Sequence, residues 1–459
     1  MRNFEIMRYF FPILLLFTTI FVSCKKDSTA ATSSEARVHT FSFYPDTLNP
    51  GLTAATYKIE HNGDTGRIYC VDSLRYGTSL DSVVPYITYK ATPGSATYIL
   101  PDTTIESTGL DTMDFNKRPI YLHVVPSNMD LDYDQWYRID IFVHQADPDL
   151  YVWDTLRLDP ITKSENYESK AFLTKEGFAL FINNGLSTEL YQSTNGKDWR
   201  QITSEITTLP VPCHVRDIVQ EHDTLYYIDN GCLYTSTNLE TWTKKEHSST
   251  TFLPITMLFS YNNLPWCIVQ DTATQQLMLG TIVTDSIYPQ TNIEGTIHGF
   301  LPSSFPISEF AALSFKSSSE RPRAMIVGGR DFQGNIVNDR WNIEYASASG
   351  YRLKNFSVMQ PHFESMTGIS IIQYNDQLIM FGGMNRNLTW RNHMYYSTDE
   401  GMNWQMSDTT KSHLPYAGNR YNQTVIVDSL MNIYIIGGQS HTDSYSDVYC
   451  GYLNSAKWE

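Results

Sequence analysis

Apolar and polar residues alternate along much of the chain with a period of two, the pattern of strands that bury one face. Between residues 37 and 148, seven short runs alternate or are continuously apolar. They are Val38–Phe43, Ala55–Glu60, Arg67–Leu74, Pro85–Thr92, Thr97–Pro101, Pro119–Pro126 and Trp136–His144. In the last run Ile139, Ile141 and Val143 face one way, and Arg138, Asp140 and His144 the other. Turn signals separate the runs at Asn49-Pro50-Gly51, Asn62-Gly63-Asp64 and Pro93-Gly94. The spacing predicts an immunoglobulin-like β-sandwich over 37–148. Its simplest role is that of a spacer.

From 149 to 459 the pattern repeats. One recurring unit ends in a tryptophan turn, at Ser193–Trp199, Ser236–Trp242 and Ser397–Trp404. Another is an apolar strand that ends in Gly-Gly, at Ala324–Gly329, Leu378–Gly383 and Ile433–Gly438. About ten residues after each diglycine a short motif leads into the next strand, as in Asn338–Trp341, Asn392–Tyr395 and Ser446–Tyr449. Periods of roughly 43 and 55 residues are those of propeller blades. Six units are counted: Phe172–Trp199, Val215–Trp242, a degenerate Met257–Val283, Glu309–Phe356, Gly368–Met406 and Tyr421–Trp458. The sixth lacks room for a fourth strand, so Tyr151–Leu158 is expected to complete it and close the ring. The fold class expected is all-β: an immunoglobulin-like sandwich followed by a six-bladed β-propeller over 149–459.

The two motifs have structural reasons. Two residues without Cβ atoms allow close backbone approach and positive φ. In the turn, Ser and Asp side chains hold backbone N–H groups, Gly takes the left-handed position, and Trp buries its ring.

Residues 1–23 read as a secretory signal. Arg2 and Arg8 form its positive end, and the apolar run from Tyr9 to Val22 leads to Ser23-Cys24. A small residue before Cys is what lipoprotein signal peptidase accepts, so Cys24 is expected to be the acylated lipid anchor. Several acyl chains hold a protein to a membrane stably. Residues 24–36, with Ser, Thr and Ala prominent, read as a flexible tether. The expected address is the outer membrane, on its surface or periplasmic side.

A formal net charge of −16 argues against nucleic acid as a partner. Aromatic residues make up 13% of the chain, which suits pleated surfaces. Beyond Cys24, five cysteines remain (Cys70, Cys213, Cys232, Cys267 and Cys450), and none has metal-ligand spacing. They read as small buried hydrophobes rather than as a Cys213–Cys232 disulfide.

The Gly-Gly units resemble kelch repeats. The Ser397–Trp404 turn resembles the Asp-box of sialidases, and the turns at Ser193 and Ser236 are one residue shorter. The plan of lipoprotein signal, tether, sandwich and propeller resembles an uncharacterised family of Bacteroidota lipoproteins. Val143–Leu150 at the domain junction is similar to that family's signature. The resemblance implies a fold and an address, but no site.

No sialidase Arg-Ile-Pro element precedes Ser193, and Cys213-His214 is too little to imply a copper oxidase. The zinc-protease and phosphate-loop motifs are absent. No cofactor or metal is expected. The loops after the diglycines and the connections between blades share one face of a kelch propeller. They hold Arg330, Asn385, Arg386, His362, His413, Tyr416 and Arg420. Guanidinium groups beside aromatic rings suit carboxylate-bearing sugars or peptides. The expectation is a non-catalytic binder of a glycan or envelope protein. The alternative is a carbohydrate-active enzyme, epimerase-like or lyase-like, on the same face.

Overall fold

The computed structural model describes residues 32–157, 168–203, 206–246, 249–346, 350–389, 393–416 and 419–457. The signal, Cys24 and most of the tether lie outside the described residues, as do Leu158, Asn392 and Trp458. The chain divides into two compact units, Met1–Asp147 and Pro148–Glu459. The strand content follows from the alternation: nearly every described element is a strand, broken by a few 3-10 turns.

In the first unit, each of the seven expected runs overlaps a strand, with ends shifted by one or two residues or more. An eighth, Thr104–Glu106, is too short to alternate visibly. Six strands form one sheet in the order Tyr57–Asn62, Thr65–Cys70, Gln135–Asp140, Ile120–Val125, Ser95–Ile99 and Thr104–Glu106. Val38–Phe43 and Pro85–Tyr89 pair separately. This six-plus-two division is less even than the four-plus-three of an immunoglobulin constant domain. Both sheets feed one core, in which Val38, Phe41 and Phe43 meet Ile68, Leu122, Tyr137 and Ile139. Asp140 breaks the expected alternation. It is buried, because Arg67 and Arg138 both hold its carboxylate, at 2.8 and 2.9 Å.

Among the described residues the second unit contains six larger sheets, numbered in chain order and built on antiparallel strands, and a two-stranded pairing of Met366–Thr367 with Met384–Asn385. The first strands of the six are Glu168–Thr174, Val219–Glu221, Phe252–Tyr261, Ala311–Lys316, Ser370–Tyr374 and Thr424–Val427. Sheet four gains a short parallel strand, Ile293–Glu294. Sheet three, degenerate in sequence, has four strands nonetheless. Its last hairpin turns on Thr284 and Asp285, both at positive φ, where other sheets use a tryptophan turn. Sheet six takes its fourth strand from Tyr151–Arg157, paired with Asp447–Leu453 over its whole length.

Neighbouring sheets pack in cyclic order, mostly through their first strands, and sheet six packs back on sheet one. First strands therefore line the axis. The diglycines repeat one geometry, with φ of 62° and 96° at Gly328-Gly329, 64° and 107° at Gly382-Gly383, and 60° and 95° at Gly437-Gly438. Two of them abut the segment entering the next sheet: Gly329 N–H donates to Met366 and Gly383 N–H to Arg420, both at 2.8 Å. A Cβ on Gly328 or Gly382 would lie 2.3 or 2.5 Å from those same carbonyls, so only glycine fits.

The tryptophan turns clasp the preceding sheet. A Cβ on Gly401 would strike Met325 of sheet four, and one on Gly196 would strike Tyr434 of sheet six. In the longer turn, Ser397 Oγ accepts from Gly401 N–H and Asp399 Oδ1 from Asn403 N–H. Its extra residue is a second left-handed position, Glu400 before Gly401. All five cysteines of the described residues are free thiols.

Candidate functional site

Antiparallel pairing sets the ends of the second strands, with their diglycines, beside the starts of the first strands. The face so formed carries two polar constellations.

The first is a cleft of about 600 Å³ between loops of sheets four and five. Its lining includes Arg330, Asp331, Asn338, Asp339, Arg386 and Leu388. Arg330 extends from the residue after a diglycine. Its Nε donates to Glu309 Oε2 at 2.8 Å and its NH1 to the Gly334 carbonyl at 3.1 Å. Arg386 Nε donates to the Ile336 carbonyl at 2.7 Å. Each guanidinium is thus aimed by a backbone carbonyl and keeps further N–H groups for a ligand.

Local turns stiffen these loops. Asp331 Oδ1 accepts from the N–H groups of Gln333 and Asn335, at 2.9 and 2.8 Å. Asn385 Oδ1 does the same for Asn387 and Thr389, both at 3.0 Å. Burial acts to raise the Asp331 carboxyl. The hydrogen bonds from Asn335 and Gln333, with Arg386 nearby, hold it below the usual carboxylate range. Asp339 Oδ2 is a buried acceptor without a partner among the described residues. Phe332 and Leu388, 57% and 53% exposed, project from the same two loops.

The second constellation lies at the axis. Arg216, in the 3-10 turn that enters sheet two, donates to the Gln423 carbonyl at 3.0 Å and the Ile369 carbonyl at 2.6 Å. Sheets two and five stand opposite one another in a cycle of six, so this side chain crosses the hub. Around it gather Glu168 and Lys170 of sheet one, and His214 and Asp217 beside sheet two. Lys170, Arg216 and Asp217 are surrounded by protein yet keep part of their surface open, as groups lining a narrow lumen do.

The lumen shifts these groups strongly. Burial pushes the Asp217 carboxyl up to about 6, and Glu168 adds to this. Burial and the charge of Arg216 push the Lys170 ammonium down to about 8. The hydrogen bond that His214 Nδ1 donates to Glu168, at 3.3 Å, raises His214 to about 9 against desolvation. Because its folded pKa is raised, Asp217 binds its proton more tightly in the folded chain. It therefore opposes folding as pH rises through about 4 to 6. Asp217→Asn is expected to raise the urea midpoint at pH 8 and to leave it unchanged at pH 4. The upper bound of roughly 3 kcal/mol falls to about 1–2 kcal/mol once lumen solvent is counted.

Of the residues expected on the ligand face, Arg330 and Arg386 come together in the cleft. His362 and His413 stand exposed on connections and line neither constellation. Tyr416 and Arg420 lie in the interior of sheet six, stacked at 4.2 Å, with Arg420 only 2% exposed. Asn385 is buried and shapes its own turn. Of the axial residues only His214 was noted in the sequence, and there for its neighbour Cys213. The signal for Lys170 was its place on the strand Glu168–Thr174, two residues before the buried Phe172. Among the described residues no group of three or more His, Cys, Asp or Glu side chains could hold a metal.

Sheets packed in a cycle around a polar lumen, with loop clefts on one face, define a β-propeller protein. Comparison with protein families matches residues 147–459 to the DUF6242 beta propeller domain, and residues 27–141 to the DUF6242 N-terminal domain, described as a domain of unknown function. The chain belongs to the DUF6242 family. A search of curated proteins found no match.

Proposed function

We propose that the second unit is a six-bladed, kelch-like, non-catalytic binding module for a carboxylate-bearing glycan. In this reading Cys24 carries acyl chains that hold the chain to the outer membrane of the envelope. One observation carries the binding role: two guanidinium groups, Arg330 and Arg386, converge in one cleft of about 600 Å³ whose loops are braced by their own side chains. Bidentate pairing of Arg with carboxylate gives both energy and orientation. Phe332 and Leu388 beside the cleft offer apolar surface to sugar ring faces. Free guanidinium N–H groups can take a sugar carboxylate, while the Asp331 and Asp339 carboxylates beside them can accept from sugar hydroxyls.

The test is a panel of neutral and uronic-acid or sialic-acid oligosaccharides, with acidic peptides alongside, titrated into the full-length chain. Acidic glycans should bind without turnover, and Arg386→Ala should weaken them by about tenfold to a hundredfold. Binding of neutral glycans alone, or no effect of Arg386→Ala, would count against the cleft. A preference for peptides would move the reading to a protein partner. Product formed by the wild type and lost in Arg386→Ala would move it to an enzyme. The anchor is tested separately: Cys24→Ser should lose metabolic labelling with palmitate and move to the soluble fraction.

A further inference from the structure

We propose that the loop 126–134 of the first unit is a bilayer-docking surface, which seats this unit on zwitterionic lipid headgroups. The proposal rests on the reading of Cys24 as the acylated anchor.

The chain enters the first unit beside this loop. Ser33 N–H donates to Ser127 Oγ at 2.8 Å, and the Ser33 carbonyl accepts from Asn128 N–H at 3.2 Å. Cys24 stands nine residues before Ser33. A link of nine residues spans at most roughly 30 Å. A unit of this size has a radius of gyration of about 13 Å and is roughly 35 Å across. Anchored at Cys24, the unit therefore cannot turn its far end to the bilayer, and the end at 126–134 stays next to lipid.

That end carries exposed apolar surface. Met129, Leu131 and Tyr133 are 62%, 65% and 54% exposed, and the Trp136 ring, partly exposed, follows on the adjoining strand. The loop is braced rather than loose. Asn128 Oδ1 accepts from Asp130 N–H, and Asp130 Oδ1 from Asp132 N–H, both at 3.1 Å. Tyr133 N–H donates to the Asp130 carbonyl at 3.2 Å, closing a 3-10 turn over Leu131–Tyr133. Trp136 stacks on His123 at 4.1 Å, and Asp134 Oδ2 bridges the two rings, 3.2 Å from Trp136 Nε1 and 2.7 Å from His123 Nε2. Large apolar side chains held outward by a fixed turn gain when something apolar covers them. Tyr and Trp, with apolar bodies and polar tips, suit the headgroup level of a bilayer.

The charge of the loop selects the lipid. Asp130, Asp132 and Asp134 alternate with the apolar residues. Asp134 is bridged to His123, Asp130 turns to the Asp132 N–H, and Asp132 is exposed. Its carboxylate is attracted by the ammonium of phosphatidylethanolamine and repelled by an anionic phosphatidylglycerol surface. An apolar loop also suits a protein partner, and the short link to Cys24 is what decides for lipid.

The experiment uses the full-length chain in its acylated form, with Leu131→Cys or Leu48→Cys labelled by a thiol-reactive fluorophore. Leu48, 94% exposed, follows the end of strand Val38–Phe43 remote from Ser33. The chain is placed in vesicles of phosphatidylethanolamine and phosphatidylcholine, floated on a sucrose gradient and quenched with acrylamide. The parent chain, labelled alike, gives the background of its native thiols. Quenching at 131 should be about threefold weaker than at 48. Tyr133→Asp in the Leu131→Cys chain should abolish this protection while flotation persists, and added phosphatidylglycerol should reduce it. A chain that does not float overturns the anchor and this inference with it. Flotation with equal quenching at 131 and 48 overturns this inference alone. Protection at 131 that appears in native envelope fragments but not in lipid vesicles overturns it too, and moves the loop to a protein partner.

Discussion

Arg420→Ala is expected to destabilise the second unit by about 3–5 kcal/mol, the cost of stripping one partner from a buried ion pair. In the native chain Arg420 is 2% exposed. Its NH1 and NH2 pair with Asp447 Oδ1 and Oδ2 at 2.5 and 2.8 Å, and NH1 also donates to the Gly437 carbonyl at 2.9 Å. Tyr416 and Tyr445 hold the guanidinium between their rings, at 4.2 and 4.0 Å. Tyr449 stands at 5.5 Å and donates its hydroxyl to the same Asp447. Alanine would leave the Asp447 carboxylate without its counter-charge and a void among three rings. The Arg420 carbonyl also accepts from Gly383, so the displaced segment would loosen the seam between sheets five and six. Urea unfolding followed by tryptophan fluorescence should show the midpoint fall in proportion. Arg420→Lys should recover only part of the loss, because an ammonium cannot reproduce the two parallel bonds. A midpoint within experimental error of wild type would show that the pair contributes nothing.

The same residue shows how far sequence could be read. An arginine among tyrosines is an identical signal for a surface cage and for an interior hub. What separates them is the partner, Asp447, which lies beyond a diglycine and is brought near only by the hairpin it closes. The repeated motifs were legible because their causes are local. Diglycine needs close backbone approach within one seam, and the tryptophan turn satisfies its own N–H groups. Strand Tyr151–Arg157 was legible for a different reason: sheet six was one strand short. The axial lumen was not legible. Lys170, Arg216, Ile369 and Gln423 lie far apart in the chain, and Arg216 is fixed by carbonyls, which carry no residue-type signal. Sheet three hid its last hairpin because two left-handed residues, Thr284 and Asp285, replace the tryptophan turn. The cleft was half legible: Arg330 and Arg386 follow two successive diglycines, and equivalent loops of adjacent sheets are bound to meet.

Removing the pairing of Tyr151–Arg157 should cost more than any single side chain, because that strand closes the cycle. It pairs with Asp447–Leu453 from Tyr151↔Leu453 to Arg157↔Asp447. Tyr151 N–H donates to the Lys411 carbonyl at 2.9 Å, and its ring packs in a cluster with Tyr374, Phe381 and Tyr449. Deleting 151–157 would bare the edge of the adjacent strand and uncover that cluster. The loss would approach the whole stability of a domain, about 5–15 kcal/mol. Gly451→Val tests the same joint with one change. Its Cβ would lie 2.2 Å from Trp153 Cε3 and 2.7 Å from the Val152 carbonyl. The second contact is backbone, so rotating the Trp153 ring cannot relieve it, and a cost of about 1–3 kcal/mol is expected. If closure is what prevents fraying, the loss should appear mainly as faster unfolding, because contacts that join distant chain ends form late. Stopped-flow unfolding of Gly451→Val should then show a raised unfolding rate with refolding little changed. Slower refolding at an unchanged unfolding rate would instead place the pairing of the two chain ends early in assembly, and the ring would have to be nucleated at its own joint.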